Sequence, residues 1–236
     1  MRCFAEREQP MTIAQASRHT GLSRPAVRRC LLTLEKLGYV AMDGTNYALR
    51  PKVMSLGYAY LSSTPLALRA QPLLDRLRDD LGESCSLGVI DEDRICYVAR
   101  AEVSRIMSIA LRVGSRLPLY ATSMGRVLLG GLTREARSAY LCRADLIACT
   151  ERTEILPARL HAICDKATED GYAIVDQELE AGLRSIAVPV RGISGTIVAA
   201  INVGTQVERI GEPELRTRLL PALRRAAQEL TAMGLA

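Results

Sequence analysis

The chain has 236 residues, 48% of them hydrophobic and 24% charged, with a formal net charge of +5. That length fits one large domain or a small one joined to a medium one, with enough apolar residues for a packed core. No apolar run reaches the ~18–20 residues that span a bilayer, the N-terminus lacks a signal-peptide core, and seven cysteines without a repeated spacing fit a reducing cytoplasm better than a disulfide framework.

The first 52 residues hold nine basic and four acidic side chains, while the remaining 184 hold 22 of each sign. All of the net charge therefore sits on one end, the asymmetry expected when only that end meets a polyanion. TIAQASRHTG predicts a short helix, N-capped by Thr12 with Gln15 completing a capping box. Gly21 supplies a corner that needs positive φ, and the small Ser17 lets two helices approach there. A second helix opens at Ser23, a good N-cap residue, tolerates Pro25 in its first turn, buries Val27, Leu31, Leu34 and Leu37, and ends at Gly38. YVAMDGTNYAL then predicts a hairpin around Asp43-Gly44. Helix, turn, helix and hairpin make a winged helix-turn-helix. Ser23, Arg24, Arg28, Arg29 and Thr33 lie outside the apolar seam of the second helix, toward its N-terminal half. A solvated face explains a lone arginine-rich helix, but this order of elements makes double-stranded DNA the better partner.

RPKVMSLGYAYLSSTPL predicts a connecting helix with Val53, Leu56 and Tyr60 on one face. LALRAQPLLDRLRDDLG predicts another, with Leu73, Leu77 and Leu81 inward and Gly82 at its end. SCSLGVI and RICYVARA pair as a hairpin, RIMSIAL is a third strand, and helices follow near TSMGRVLLGGL, TREARSAYL and ARLHAICDKATEDGY. SIAVPVR and TIVAAINVG are later strands, with Pro189 marking an edge or a bulge. EPELRTRLLPALRRAAQELTAM closes the chain as an amphipathic helix. The expected class is α+β, an antiparallel sheet with helices against it. The expected division is a DNA-binding domain at 1–50, a linker helix at 51–66 and a sensor domain at 67–236.

No pattern of catalytic or metal-binding residues stands out. The cysteines lack an adjacent base, His19 and His161 lie far apart, and Asp176, Glu178 and Glu180 read as solvated charges rather than paired carboxylates. No cofactor and no enzyme activity are expected. Thr122 and Ser123 open a helix, where free N–H groups attract an anion, although a plain N-cap has the same sequence. Arg184, Ser185 and Asn202 are polar interruptions of apolar strands, suited either to a small concave site or to local surface bonding.

MTIAQASRHTGLSRPAVRRCLLTLEKLGYV, RLPLYATSMGRVLLG and GYAIVDQELEAGLRSIAVPVR together resemble the IclR family of bacterial transcriptional regulators over nearly the whole chain. GYAYLSSTPL, YVARAE and AAINVGT are closest to its regulators of protocatechuate, p-hydroxybenzoate or β-ketoadipate pathways. The resemblance implies a GAF-like effector domain, a homodimer through the heads or a dimer of dimers, and a cytoplasmic location. It also implies a small carboxylate effector, either aromatic or β-ketoadipate-like. By the same resemblance the effector site involves Ser123, Met124, Asp176 or its neighbour Val175, Ser185 and Asn202, with Arg184, Arg112 or Arg116 as cation. Met124 is larger than the family's usual residue and is expected to reshape the pocket floor against a two-carbon acid. The alternatives are a regulator sensing glyoxylate or pyruvate, and a sensor whose head no longer binds DNA. Only MRCFAEREQP precedes Met11 where the family carries a full helix, which bears on the head's stability and dimer contact.

Overall fold

The computed structural model describes residues 2–5, 10–103 and 111–234. The chain divides into two compact units, 1–63 and 64–236. The predicted strand RIMSIAL lies, but for its last residue, outside the described residues.

The first unit runs α1 (Arg2–Ala5), β1 (Met11–Thr12), α2 (Ile13–Thr20), α3 (Arg24–Lys36), β2 (Val40–Asp43), β3 (Asn46–Leu49), a 3₁₀ turn at Pro51–Val53 and α4 (Met54–Ser63). The capping box at Thr12 forms as expected: the Gln15 N–H donates to Thr12 Oγ1 at 3.3 Å and the Thr12 N–H to Gln15 Oε1 at 2.8 Å. Gly21 has φ +70, and Ser17 closes the corner by donating from Oγ to the Leu22 carbonyl at 2.6 Å. Ser17 is therefore a staple as well as a small residue. Beyond α3, Gly38 (φ +78) donates to the Glu35 carbonyl and Tyr39 to that of Leu34, a Schellman ending. β2 and β3 pair antiparallel across a Gly44-Thr45 loop, with β1 on the far side of β3.

Val27 and Leu31 are buried in a core with Cys3, Phe4, Met11, Ala16, Val40 and Tyr47, and Leu34 packs at its edge. Leu37 departs from the expected seam: it is the C-cap residue and 52% exposed, because the helical period has already been broken there. Ser23 also departs, since only its backbone carbonyl takes part, accepting from the Val27 N–H. α4 buries none of its residues, and Leu56 and Tyr60 are exposed rather than inward.

The second unit runs α5 (Pro65–Leu81), β4 (Ser84–Asp91), β5 (Arg94–Ala101), β6 (Arg116–Pro118), α6 (Ser123–Gly130), α7 (Arg134–Arg143), α8 (Pro157–Asp170), β7 (Ala173–Asp176), β8 (Leu183–Arg191), β9 (Ile197–Gln206), a short α9 (Glu212–Glu214) and α10 (Leu220–Ala232). A π-turn at Leu215–Leu219 leads into α10, where Pro221 lacks the N–H that a continuous α-helix would use. The strands form an antiparallel sheet in the order β6-β5-β4-β9-β8-β7. β7 ends opposite Ala187, and the β8–β9 register shifts at Val190/Arg191. Pro189 thus lies past its neighbour's end and beside a bulge, as the sequence predicted.

Strand alternation splits the sheet into two chemically different faces. Cys85, Leu87, Ile186, Val188, Ile201 and Val203 point to one face and bury α5 and α10, including Leu73, Leu77 and Leu81. Burial pushes the Cys85 thiol up to about 12, so it stays protonated. The other face carries Tyr97, Ala187 and Ala200 under α6, with α7 and α8 outside it. Glycine allows two close approaches here: a Cβ on Gly125 would lie 2.1 Å from the Leu119 carbonyl oxygen at the entry to α6, and one on Gly88 would lie 2.7 Å from Ile95 and 3.2 Å from Met124 of α6. The fold is α+β, a winged helix-turn-helix followed by a GAF-like unit.

Candidate functional site

In the first unit, Arg24, Arg28, Arg29 and Thr33 are all exposed on α3, and Ser23 is exposed just before it. None of the three arginines has an ion-pair partner among the described residues. Thr33 donates its hydroxyl back to the Arg29 carbonyl at 3.0 Å. Folding thus leaves a row of unneutralised guanidinium groups on the helix that follows the Gly21 corner. Such groups carry a cost of mutual repulsion that an anionic partner removes.

In the second unit, a cavity opens between the second face of the sheet and the start of α6, with about 530 Å³ of space free of atoms, its mouth included. Its floor is two adjacent cross-strand rows. One row runs Arg100–Ser86–Asn202 across β5, β4 and β9, and the other runs Ser84–Gly204–Ser185–Val175 across β4, β9, β8 and β7. Ala121, Thr122 and Ser123 form the wall at α6, and Leu111, Leu179 and Leu183 add apolar surface. Thr122 caps α6 by accepting from the Gly125 N–H at 3.1 Å.

Three enclosed polar atoms at this cavity lack a hydrogen-bond partner among the described residues: Arg100 Nε, Ser123 Oγ and Asn202 Oδ1. Buried polar groups are nearly always satisfied, so three orphans around one space mark a place that a polar ligand completes. Tyr97 adds a phenol that burial pushes up to about 12, against the pull of Arg100, and it stays a hydroxyl.

The structure brings together Ser123, Ser185 and Asn202 of the predicted set, and Val175 rather than Asp176. Asp176 faces away because it is one residue out of phase. It pairs across the strands with Arg184, whose Nε donates to Asp176 Oδ1 at 2.7 Å, and with Arg152 at 3.1 Å. The Arg184 guanidinium holds the Asp176 carboxyl below the usual carboxylate range, against partial burial. Arg184 is therefore occupied outside the cavity. Met124 is also corrected: it is fully buried between α6 and the sheet beside Gly88, and does not form the floor. Arg116 is engaged with Asp91 and Glu92 at the β4–β5 turn, and Arg112, next to the lining Leu111, is exposed and does not itself line the cavity. Glu178, read as solvated, instead closes a buried bidentate pair with Arg126 at 2.6 Å to each oxygen.

Arg100 was missed by sequence reasoning. In RICYVARA it looks like an ordinary alternating charge, and only the β4–β5 register with its bulge at Leu87/Gly88 turns it to the inner face.

The family signature described as "IclR helix-turn-helix domain" matches residues 1–44, and "Bacterial transcriptional regulator IclR C-terminal" matches residues 58–232. The chain is 51% identical over 231 residues to the Pca regulon regulatory protein of Pseudomonas putida, covering 98% of this chain and 79% of that one. A transcriptional regulator structure from Rhodococcus superimposes with a TM-score of 0.83 at 46% identity, covering 98% and 93% of the two chains. A double mutant of the inducer-binding domain of the Acinetobacter PobR transcription factor, solved with 3-hydroxybenzoic acid, matches at 32% identity and a TM-score of 0.66, covering 69% of this chain and 95% of that one.

Proposed function

The chain belongs to the IclR family of bacterial transcriptional regulators, and from that premise we propose how its two units divide the work. The protein is a DNA-binding, effector-responsive regulator of aromatic-acid catabolic genes. α3 enters the major groove of promoter DNA, with Arg24, Arg28 and Arg29 reaching base edges or phosphates and Ser23 and Thr33 alongside. The effector is a small carboxylate, aromatic or β-ketoadipate-like, held in the second unit by Ser123, Ser185 and Asn202. The functional domains are 1–50 and 67–236, with 51–66 between them as transmitter. The protein works in the cytoplasm as a homodimer or dimer of dimers, by binding rather than turnover.

The observation that carries this reading is the cavity with three buried polar atoms partnerless among the described residues, in a chain whose net positive charge lies in the first 52 residues, with three arginines exposed on α3. An effector that shifts DNA binding must bind the two states unequally. The test is a thermal-shift screen of the full chain against protocatechuate, p-hydroxybenzoate, β-ketoadipate, cis,cis-muconate and glyoxylate. It is followed by anisotropy on promoter DNA across salt concentrations. An aromatic or adipate acid is expected to raise Tm by mass action, and DNA affinity to fall steeply with salt. Stabilisation by glyoxylate alone would move the protein to another branch of the family. Salt-insensitive or absent DNA binding would leave a sensor without a working head.

A further inference from the structure

We propose that Arg100 is the carboxylate-binding residue of this cavity and that Gln71 reads its occupancy into α5. The inference rests on the effector reading above and adds the group that selects an acid and the path by which its arrival leaves the site.

Among the described residues lining the cavity, Arg100 is the one charged side chain, and only 8% of it is exposed. Nη1 donates to the neutral Ser86 hydroxyl at 2.8 Å, and Nη2 lies 3.5 Å from Glu102, a carboxylate 56% exposed. Nε has no partner among the described residues. Other enclosed arginines of this unit are treated differently: Arg126, Arg137 and Arg184 each meet a carboxylate at hydrogen-bonding distance, although Arg137 keeps Nε and Nη1 without a partner among the described residues and, unlike Arg100, does not line the cavity. A guanidinium taken out of water with a neutral hydroxyl and a screened acid for company is poorly compensated. A ligand carboxylate beside Nε supplies what is missing, and Asn202 in the same cross-strand row offers a donor and an acceptor to the rest of the molecule.

The same residue is gripped from behind. The Gln71 side chain donates from Nε2 to the Arg100 carbonyl at 3.0 Å and accepts the Arg100 N–H on Oε1 at 3.3 Å. A side-chain amide thus pairs with the backbone as a neighbouring strand would. Gln71 stands on α5, the helix that the chain enters directly after α4, and Pro72 follows it. Pro72 has no N–H for the Leu68 carbonyl, so the helix lacks one internal bond beside the clamp and yields most easily there. A small shift of Arg100 toward an anion therefore reaches the first turns of α5 through two hydrogen bonds.

The test uses the full chain, calorimetric titration with 4-hydroxybenzoate, protocatechuate and β-ketoadipate, and hydrogen exchange of residues 65–72. Arg100→Met is expected to weaken the acid that wild type binds by about 10- to 100-fold, the worth of a charge-assisted bond. Arg100→Lys keeps the charge without the Nε donor and stands in if the methionine variant does not fold, with a smaller loss expected. Gln71→Met is expected to keep acid affinity within about 3-fold while abolishing the acid-induced change in α5 exchange that wild type shows. Unchanged affinity in both Arg100 variants overturns the anchor, and an undiminished exchange response in Gln71→Met overturns the relay. If wild type binds none of the three acids, the effector reading falls first and this inference with it.

Discussion

The arginines of the two units have opposite fates. On α3, Arg24, Arg28 and Arg29 stand exposed with no internal acid, whereas in the second unit Arg126 is enclosed and saturated by Glu178 and the Tyr120 carbonyl. One set holds the fold together and spends its charge in doing so. The other makes no ion pair among the described residues and leaves its charge unneutralised. Arg100 lies between the two, buried like the first set and underpaired like the second. Where a protein leaves a guanidinium unmatched, a partner from outside is the simplest physical account.

The largest effect should come from breaking a saturated pair. Glu178→Gln strands the Arg126 charge indoors and is expected to cost about 3–5 kcal/mol in urea unfolding. A loss below about 1 kcal/mol would show that the pair is solvated after all. Next comes the exposed set. Arg28→Ala is expected to weaken promoter binding by about 1–3 kcal/mol if it reads a guanine, while stability stays within about 0.5 kcal/mol. A variant that loses stability and keeps DNA affinity would erase the contrast between the units. The smallest effect sharpens the description of the head itself. Thr12→Ala removes a working cap and should cost about 1 kcal/mol, whereas Ser23→Ala, whose hydroxyl caps nothing, should cost only a few tenths. Equal losses by thermal denaturation would show that Ser23 caps α3 in solution.

Local rules made the head readable. The Thr12 box, the Gly21 corner, the Gly38 stop and the Asp43-Gly44 hairpin are set by residues within a few positions of each other, and each forms. What failed there was tertiary: Leu37 keeps the helical spacing of the seam but stands past the last turn that the small core can cover. In the second unit the elements were legible and the site only partly so. Ser123, Ser185 and Asn202 announce themselves as polar breaks in apolar runs. Asp176 and Arg184 were misplaced because a one-residue step on a strand exchanges faces, and the phase of β7 is fixed by its pairing with β8, a non-local fact. Arg100 was hidden for the same reason, its direction being settled by a bulge in the hairpin. The short strands β1, β6 and β7 left no periodicity to detect.

α4 has a further consequence. It is ten residues long, apolar on its exposed Met54, Leu56, Tyr58 and Tyr60, and buries none of them. An isolated helix of this length is marginal in water, so its coiling depends on what covers it. Coiled, ten residues reach about 15 Å; drawn out, they reach about 33 Å. This stretch is therefore a spacer of two lengths, and what lies over its tyrosines decides which of the two it takes.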